Sequence, residues 1–341
     1  MKKLIIYAPN VHTGGGRTLL IAMLKAIPSD SMLILDQRLS NLKFDHHNIV
    51  SRVKSTFKSR FKAEITLKKI ANKGDIILCF HSLPPIFKAE AKVFVYFHNK
   101  HLIKDKNVDL PSENTRANVR IFIEKLLAQF FHRNVDEYFV QSSTMKRKFD
   151  FYYSKKMGIV TIYPFINFPP IPKEINSKIS KKYDFVYISE GPKHKNHKNL
   201  LNAWVYLASQ NIFPKLALTL SNDHKDEINN INALVEKYDI KVDNLGYVDF
   251  DKVLSVYSNS KALIFPSFME SFGLPLIEAK QLGLPILAPE LDYVRDICSP
   301  AETFDPKSKI SIARAVKRFL KIKNTSNLEY DVDSFIDYIT K

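Results

Sequence analysis

The chain is short of the residues that staple a fold or anchor it in a bilayer. It has 2 cysteines in 341 residues, Cys79 and Cys298, far apart and without the partner spacing of a metal site. That excludes a disulfide framework and predicts a reduced, cytoplasmic setting. No apolar run approaches the roughly 20 residues that a membrane-spanning helix needs. Lys2 and Lys3 precede a short apolar run at 4–8, as in a secretory leader, but the run stops at Pro9 and Asn10, so it reads as a buried first strand. A Gly-x-Gly-x-x-Gly spacing is missing too, and no acidic residue stands well placed about 20 residues on, which argues against a dinucleotide site. Acidic residues are outnumbered, 35 Asp+Glu against 51 Lys+Arg, a net charge of +16.

That charge is uneven. Residues 1–150 hold 26 Lys+Arg against 13 Asp+Glu, and the remainder 25 against 22. The excess is dense over 52–73, with Lys54, Lys58, Arg60, Lys62, Lys68 and Lys69. Such a face attracts phosphate, whether of nucleic acid, anionic lipid or a pyrophosphate substrate, and a solvated helix face gives the same pattern. The basic residues lack interleaved stacking motifs or a helix-turn-helix, so nucleic acid is not the expected partner.

Short apolar runs alternate with helical patterns almost throughout, which predicts parallel sheets flanked by helices. In the first half strands are expected at 4–8, 32–35, 76–80, 93–97, 137–140 and 159–162, and helices near 18–26, 58–71, 118–131 and 143–152. Pro164, Pro169, Pro170 and Pro172 then interrupt the pattern and mark a linker over 166–182. Beyond it, strands are expected at 184–188, 216–220, 242–246, 262–265 and 286–288, and helices at 198–209, 225–238, 252–258, 275–282 and 308–320. The expected fold class is α/β, with two doubly wound Rossmann-like domains (1–165 and 183–322) facing a central cleft. The segment 323–341 is expected to pack back on the first domain. In open α/β sheets ligands sit at the carboxyl ends of strands, so the cleft is the expected site.

The most informative segment is Phe265-Pro266-Ser267-Phe268-Met269-Glu270-Ser271-Phe272-Gly273-Leu274-Pro275-Leu276-Ile277-Glu278-Ala279. A buried strand ends at Phe265, a short loop carries Glu270, and Gly273 with Pro275 opens a helix. The free N–H groups of that helix start make an anion site, aided by the helix dipole. Glu270 in the loop and Glu278 in the second turn, eight residues apart, can then face a ligand held at that helix start. A second basic segment, Gly191-Pro192-Lys193-His194-Lys195-Asn196-His197-Lys198-Asn199-Leu200, follows a strand and opens a helix. In the first half, Gly14, Gly15 and Gly16 join the first strand to the first helix and let backbone approach a ligand closely. His98 ends a buried strand, where catalytic groups of α/β folds project, and His81 is a weaker candidate. Asp249-Phe250-Asp251 has the form of a metal-binding Asp-x-Asp, yet it stands before a helix and reads as capping.

The Glu-x7-Glu pattern around Phe-Gly-Leu-Pro resembles the signature of family 4 glycosyltransferases, and Gly283-Leu284-Pro285, Asp292, Asp296 and Phe304-Asp305-Pro306 follow in the family's order. The resemblance covers about 184–320 and implies a GT-B fold and retention of anomeric configuration by front-face attack. It implies catalytic roles for Glu270 and His98. Donor contacts would come from Gly15, Gly16, Lys193, Lys198, Gly246, Tyr247, Ser271, Phe272, Gly273, Leu274 and Glu278, with no metal or other cofactor. The family's arginine position falls near Lys193, with Lys195 as the alternative. The implied partners are a UDP- or GDP-linked sugar donor and a glycan acceptor carried on lipid pyrophosphate, met at the anionic inner face of the cytoplasmic membrane during polysaccharide or lipopolysaccharide O-antigen synthesis. A GT-B nucleotide-sugar epimerase and an inverting transferase are the enzymatic alternatives, both disfavoured by Glu-x7-Glu. A nucleic-acid-binding protein is the alternative of another class.

Overall fold

The computed structural model describes residues 2–40, 48–103, 115–153, 157–165 and 181–322. The expected linker, apart from its last two residues, and the expected C-terminal segment lie outside the described residues. The first half runs β1 (Leu4–Ala8), α1 (Gly14–Leu24), β2 (Met32–Asp36), β3 (Asn48–Val53), α2 (Phe57–Ile70), β4 (Ile76–Cys79), β5 (Lys92–Tyr96), α3 (Thr115–Phe131), β6 (Glu137–Val140), α4 (Ser143–Tyr153) and β7 (Ile159–Ile162). The second runs β8 (Tyr183–Tyr187), α5 (His197–Ala208), β9 (Leu216–Leu218), α6 (Lys225–Tyr238), β10 (Val242–Asn244), α7 (Phe250–Ser258), β11 (Ser260–Ile264), α8 (Leu274–Gln281), β12 (Ile286–Pro289), α9 (Asp292–Arg295), β13 (Glu302–Phe304) and α10 (Lys309–Phe319).

Each half is a parallel sheet, ordered β3-β2-β1-β4-β5-β6-β7 in the first and β10-β9-β8-β11-β12-β13 in the second. The central strands are short continuous apolar runs because helices cover both of their faces. Ile5 and Tyr7 of β1 face one core with α2, α3 and α4, while Ile6 and Ala8 face another with α1. In the second half Trp204 of α5 is 1% exposed, packs edge-on to Phe185 at 5.7 Å, and donates its indole N–H to Pro214 O at 2.8 Å.

Two strands were not expected from sequence, β3 and β13. Both are sheet edges, where fewer apolar residues are needed, and Ser51 and Arg52 dilute the pattern in β3. Helix α1 starts at Gly14, four residues earlier than expected, so Gly15 and Gly16 lie in its first turn and not in a connecting loop.

Both sheets reverse their strand order at one point, β1/β4 in the first and β8/β11 in the second. Connections diverge there and leave a crevice at the carboxyl ends of the strands. Every element that carries a candidate catalytic residue follows β5, beside β4, or follows β11. Trp204→Ala should lower stability by about 3–5 kcal/mol, the cost of an emptied aromatic site plus a carbonyl left unpaired. Urea unfolding followed by far-ultraviolet circular dichroism checks this. A midpoint unchanged from the parent would mean that α5 is not held through this side chain.

Candidate active site

The loop after β11 is held rigidly before it reaches Glu270. Tyr293 Oη donates to Ser267 O at 2.6 Å, and Tyr187 Oη lies 2.9 Å from Ser267 Oγ and 2.8 Å from Lys195 O. Asn196, at φ 63° in the left-handed region that asparagine tolerates, donates its amide to Pro266 O at 3.0 Å and to Pro306 O at 2.7 Å. Phe268 N donates to His194 O at 2.9 Å. The turn Lys193–Lys195 and the 265–270 loop are therefore tied to each other by hydrogen bonds.

Glu270 sits at the centre. Its carboxylate accepts from Lys195 Nζ at 2.7 Å and pairs with Lys100 Nζ at 3.5 Å, and Lys100 also donates to Met269 O at 2.5 Å. Lys100 comes from the first half, two residues beyond His98, so the pair bridges the two sheets. Burial alone would push the Glu270 carboxyl up, but Lys100 and Lys195 outweigh it and hold it down at about 2. The same burial pulls Lys100 down to about 8, against the opposing pull of Glu270. Glu270 is thus ionised throughout the physiological range, and Lys100 loses its charge as the pH rises through about 8.

Gly15, Gly16 and His98 close the first-half side. A β-carbon on Gly16 would lie 2.7 Å from His98 Cε1, and one on Gly15 would lie 3.3 Å from Leu274 Cδ1. These glycines let the start of α1 meet His98 on one side and the start of α8 on the other. His98 Nε2 lies 3.1 Å from Phe80 O, and its backbone N–H donates to Ser82 Oγ at 3.0 Å. Burial lowers the imidazole pKa, so the ring is neutral near pH 7. A neutral ring that donates from Nε2 leaves Nδ1 as an acceptor beside Gly16. Two further bonds join the halves: Thr144 N at the start of α4 donates to Asp296 Oδ2 at 2.8 Å, and Arg147 Nη2 to Asp292 Oδ2 at 2.8 Å.

The structure gathers Gly15, Gly16, His98, Glu270 and Leu274 around one cleft, with Gly273 in the left-handed conformation (φ 72°) that caps α8. Ser271 is half-buried and Phe272 buried in the same loop. Lys193 and Lys198 are exposed on either side of Asn196, whereas Lys195 is the counter-ion of Glu270. Glu278 is 6% exposed and accepts from Tyr257 Oη at 2.7 Å, and burial raises its pKa. Gly246 (φ 73°) and Tyr247, 59% exposed, stand beyond β10, two strands from β8. His81 is half-buried and packs edge-on against the Tyr7 ring at 5.0 Å, as a structural residue does. Asp249 occupies the N-cap of α7, but it caps through its carbonyl, which accepts from Lys252 N at 2.9 Å, and its side chain makes no cap bond. Among the described residues no group of His, Cys, Asp and Glu is clustered to hold a metal.

Sequence reasoning missed Lys100. Its signal was a cation two residues past a strand-end histidine, but its role depends on how the halves meet.

Residues 171–330 match the family of glycosyl transferases group 1. The chain is 26% identical over 166 residues to the O-antigen chain mannosyltransferase RfbU of Salmonella typhimurium, covering 48% of this chain and 44% of that one. It is 28% identical over 118 residues to O-antigen chain mannosyltransferase B of Escherichia coli, covering 34% and 31%. The chain thus matches less than half the length of these curated relatives. Among solved structures, Anabaena Alr3699/HepE, determined in complex with UDP and glucose, aligns over 94% of this chain and 90% of its own with a TM-score of 0.66 at 14% identity. That is a likeness of fold, and the fold is GT-B.

Glu270→Gln is nearly isosteric but leaves two cations in a buried site. It should cost about 3–5 kcal/mol, and adding Lys100→Met should recover part of that loss. Thermal melting of the two variants measures both effects. A single variant that melts with the parent would show that the lysines do not depend on this carboxylate.

Proposed function

With residues 171–330 matching the family of glycosyl transferases group 1, we propose that this chain is a retaining, metal-independent glycosyltransferase. It moves a sugar from a nucleotide diphosphate to a growing, lipid-linked glycan of the O-antigen or lipopolysaccharide type. One observation carries this reading. The first glutamate of the Glu-x7-Glu segment is held at the mouth of two facing switch points, by one lysine from each half.

The parts divide by charge. The diphosphate leaving group gathers negative charge as the glycosidic bond breaks, and fixed positive groups lower the energy of that state. The start of α8 at Leu274, the start of α1 at Gly15 and Gly16, and the side chains of Lys193 and Lys198 supply them. Lys193 and Lys195 are both counterparts of the family's arginine by position, and Lys195 also pairs with Glu270. Glu270, anionic and immobile, accepts hydroxyls of the transferred sugar, and His98 Nδ1 accepts another across the cleft. Glu278 holds the ribose with the oxygen that Tyr257 does not use. Gly246 and Tyr247 face the base. The acceptor hydroxyl attacks on the face from which the diphosphate leaves, and a donor phosphate oxygen takes its proton.

The similarity to O-antigen mannosyltransferases and the solved complex of HepE with UDP both support a nucleotide-sugar donor of the UDP or GDP class. A thermal-shift screen of UDP and GDP sugars, with and without EDTA, tests it. At a hundred times the dissociation constant a donor should add about 2.7 kcal/mol of stability, a shift of several degrees. The shift should survive EDTA and disappear in Lys198→Ala. A shift that needs a divalent metal would overturn the metal-free site, and no shift with any nucleotide sugar would overturn donor binding.

A further inference from the structure

Helix α3 carries an exposed apolar stripe. Among its described side chains Glu124 and Ala128 are buried and Ile121 and Leu127 half-buried, while Val119, Phe122, Ile123, Leu126 and Phe130 are exposed, Phe122 at 62% and Phe130 at 74%. Their spacing of three, four, seven and eleven residues from Val119 puts them on one stripe of the helix. A water-soluble helix face does not keep such a stripe bare without a partner.

Helix α2 lies on the same side of the first sheet, with Ala63 and Leu67 in the core that also takes Ala128. It exposes Phe57, Phe61 and Ile65 at successive four-residue steps, with Phe57 stacked on Phe61 at 6.3 Å. Lys58 and Lys62 form the neighbouring row, and Lys68 and Lys69 follow in the last turn. Apolar and lysine rows side by side are the pattern of a helix lying in a membrane interface. A second copy of the chain would set these lysine rows against each other, whereas anionic headgroups complement them.

The face also sits at the right edge of the molecule. Arg60 Nη2 of α2 donates to Asn10 Oδ1 at 2.7 Å, just past the carboxyl end of β1. Helix α3 packs against the turn Lys100–Leu102, which carries the Glu270 counter-ion Lys100. Both helices therefore border the mouth of the cleft.

We propose that the α2–α3 face docks on an anionic lipid bilayer, with the stripe from Val119 to Phe130 entering the headgroup boundary and Lys58 and Lys62 meeting lipid phosphates. It gives a surface to the lipid-linked acceptor and rests on that reading for its purpose, although bilayer binding itself does not require transfer.

Co-sedimentation of the full chain with phosphatidylcholine vesicles, with and without phosphatidylglycerol, tests it. The parent should bind the anionic vesicles. Phe122→Gln with Phe130→Gln should weaken that binding about tenfold or more. Lys58→Glu with Lys62→Glu should remove the preference for phosphatidylglycerol. Both double variants change exposed positions and should keep the parent's melting temperature and its shift with nucleotide sugar. Equal partition of the parent to neutral and anionic vesicles would overturn the proposal. So would absence from both pellets combined with a dimer in sedimentation equilibrium that Phe122→Gln dissociates, which would assign the stripe to a second copy. A nucleotide-sugar shift without vesicle binding would sink the docking surface and leave the transferase reading standing, and vesicle binding without any shift would do the reverse.

Discussion

A carboxylate removed from water must find positive charge or take up a proton. Glu270 finds two lysines, one from each half of the molecule. Much of the rest of the site follows from this. Lys100 of the first half reaches Glu270 and Met269 O of the second, so the ion pair ties the meeting of the halves to the charge state of Glu270. Glu270 also stays anionic far below neutral pH. In the proposed reaction such a carboxylate serves as an acceptor of hydroxyls and a neighbour of developing positive charge, and not as a general acid. Rigidity follows as well, because Lys195 belongs to the turn that Asn196 ties to Pro266 and Pro306. A group that positions a substrate is useful only if it does not itself wander, and here the supporting hydrogen bonds run back to Tyr187 and Tyr293 in the core of the second sheet.

The two sheets place this pair where parallel topology leaves a crevice. β8 and β11 deliver the Lys193–Lys195 turn and the Glu270 loop from adjacent strands, and β1 and β5 deliver Gly16 and His98 from either side of β4. The glycines are needed by geometry. Gly16 has no room for a β-carbon because His98 occupies the space, and Gly15 approaches Leu274 from the opposite half. Fold and site are therefore linked through close backbone approach as much as through charge.

Much of this was legible in the residues alone. Central strands such as β1 and β11 are continuous apolar runs, and only parallel sheets covered on both faces want that pattern. Glu270, Gly273 and Glu278 stand out by spacing and by the helix start they flank. The edge strands β3 and β13 escaped notice because a strand paired on one side needs little apolar surface. Lys100 escaped because its one local signal, a place two residues past the strand-end His98, is weak among the many lysines of the first half. Its meaning comes from a carboxylate 170 residues away in sequence. Lys195 and Lys193 are equivalent by composition, and they differ in what the folded loop brings within reach.

The most direct test follows donor-sugar transfer to a soluble acceptor by proton NMR in the parent and in Glu270→Asp. If the anchored carboxylate positions the transferred sugar, the parent product keeps the donor's anomeric configuration. Retraction of the carboxylate by one methylene then lowers kcat by about a hundredfold and leaves the donor KM nearly unchanged. An inverted anomer, or a Glu270→Asp enzyme with the parent's kcat, would contradict the account.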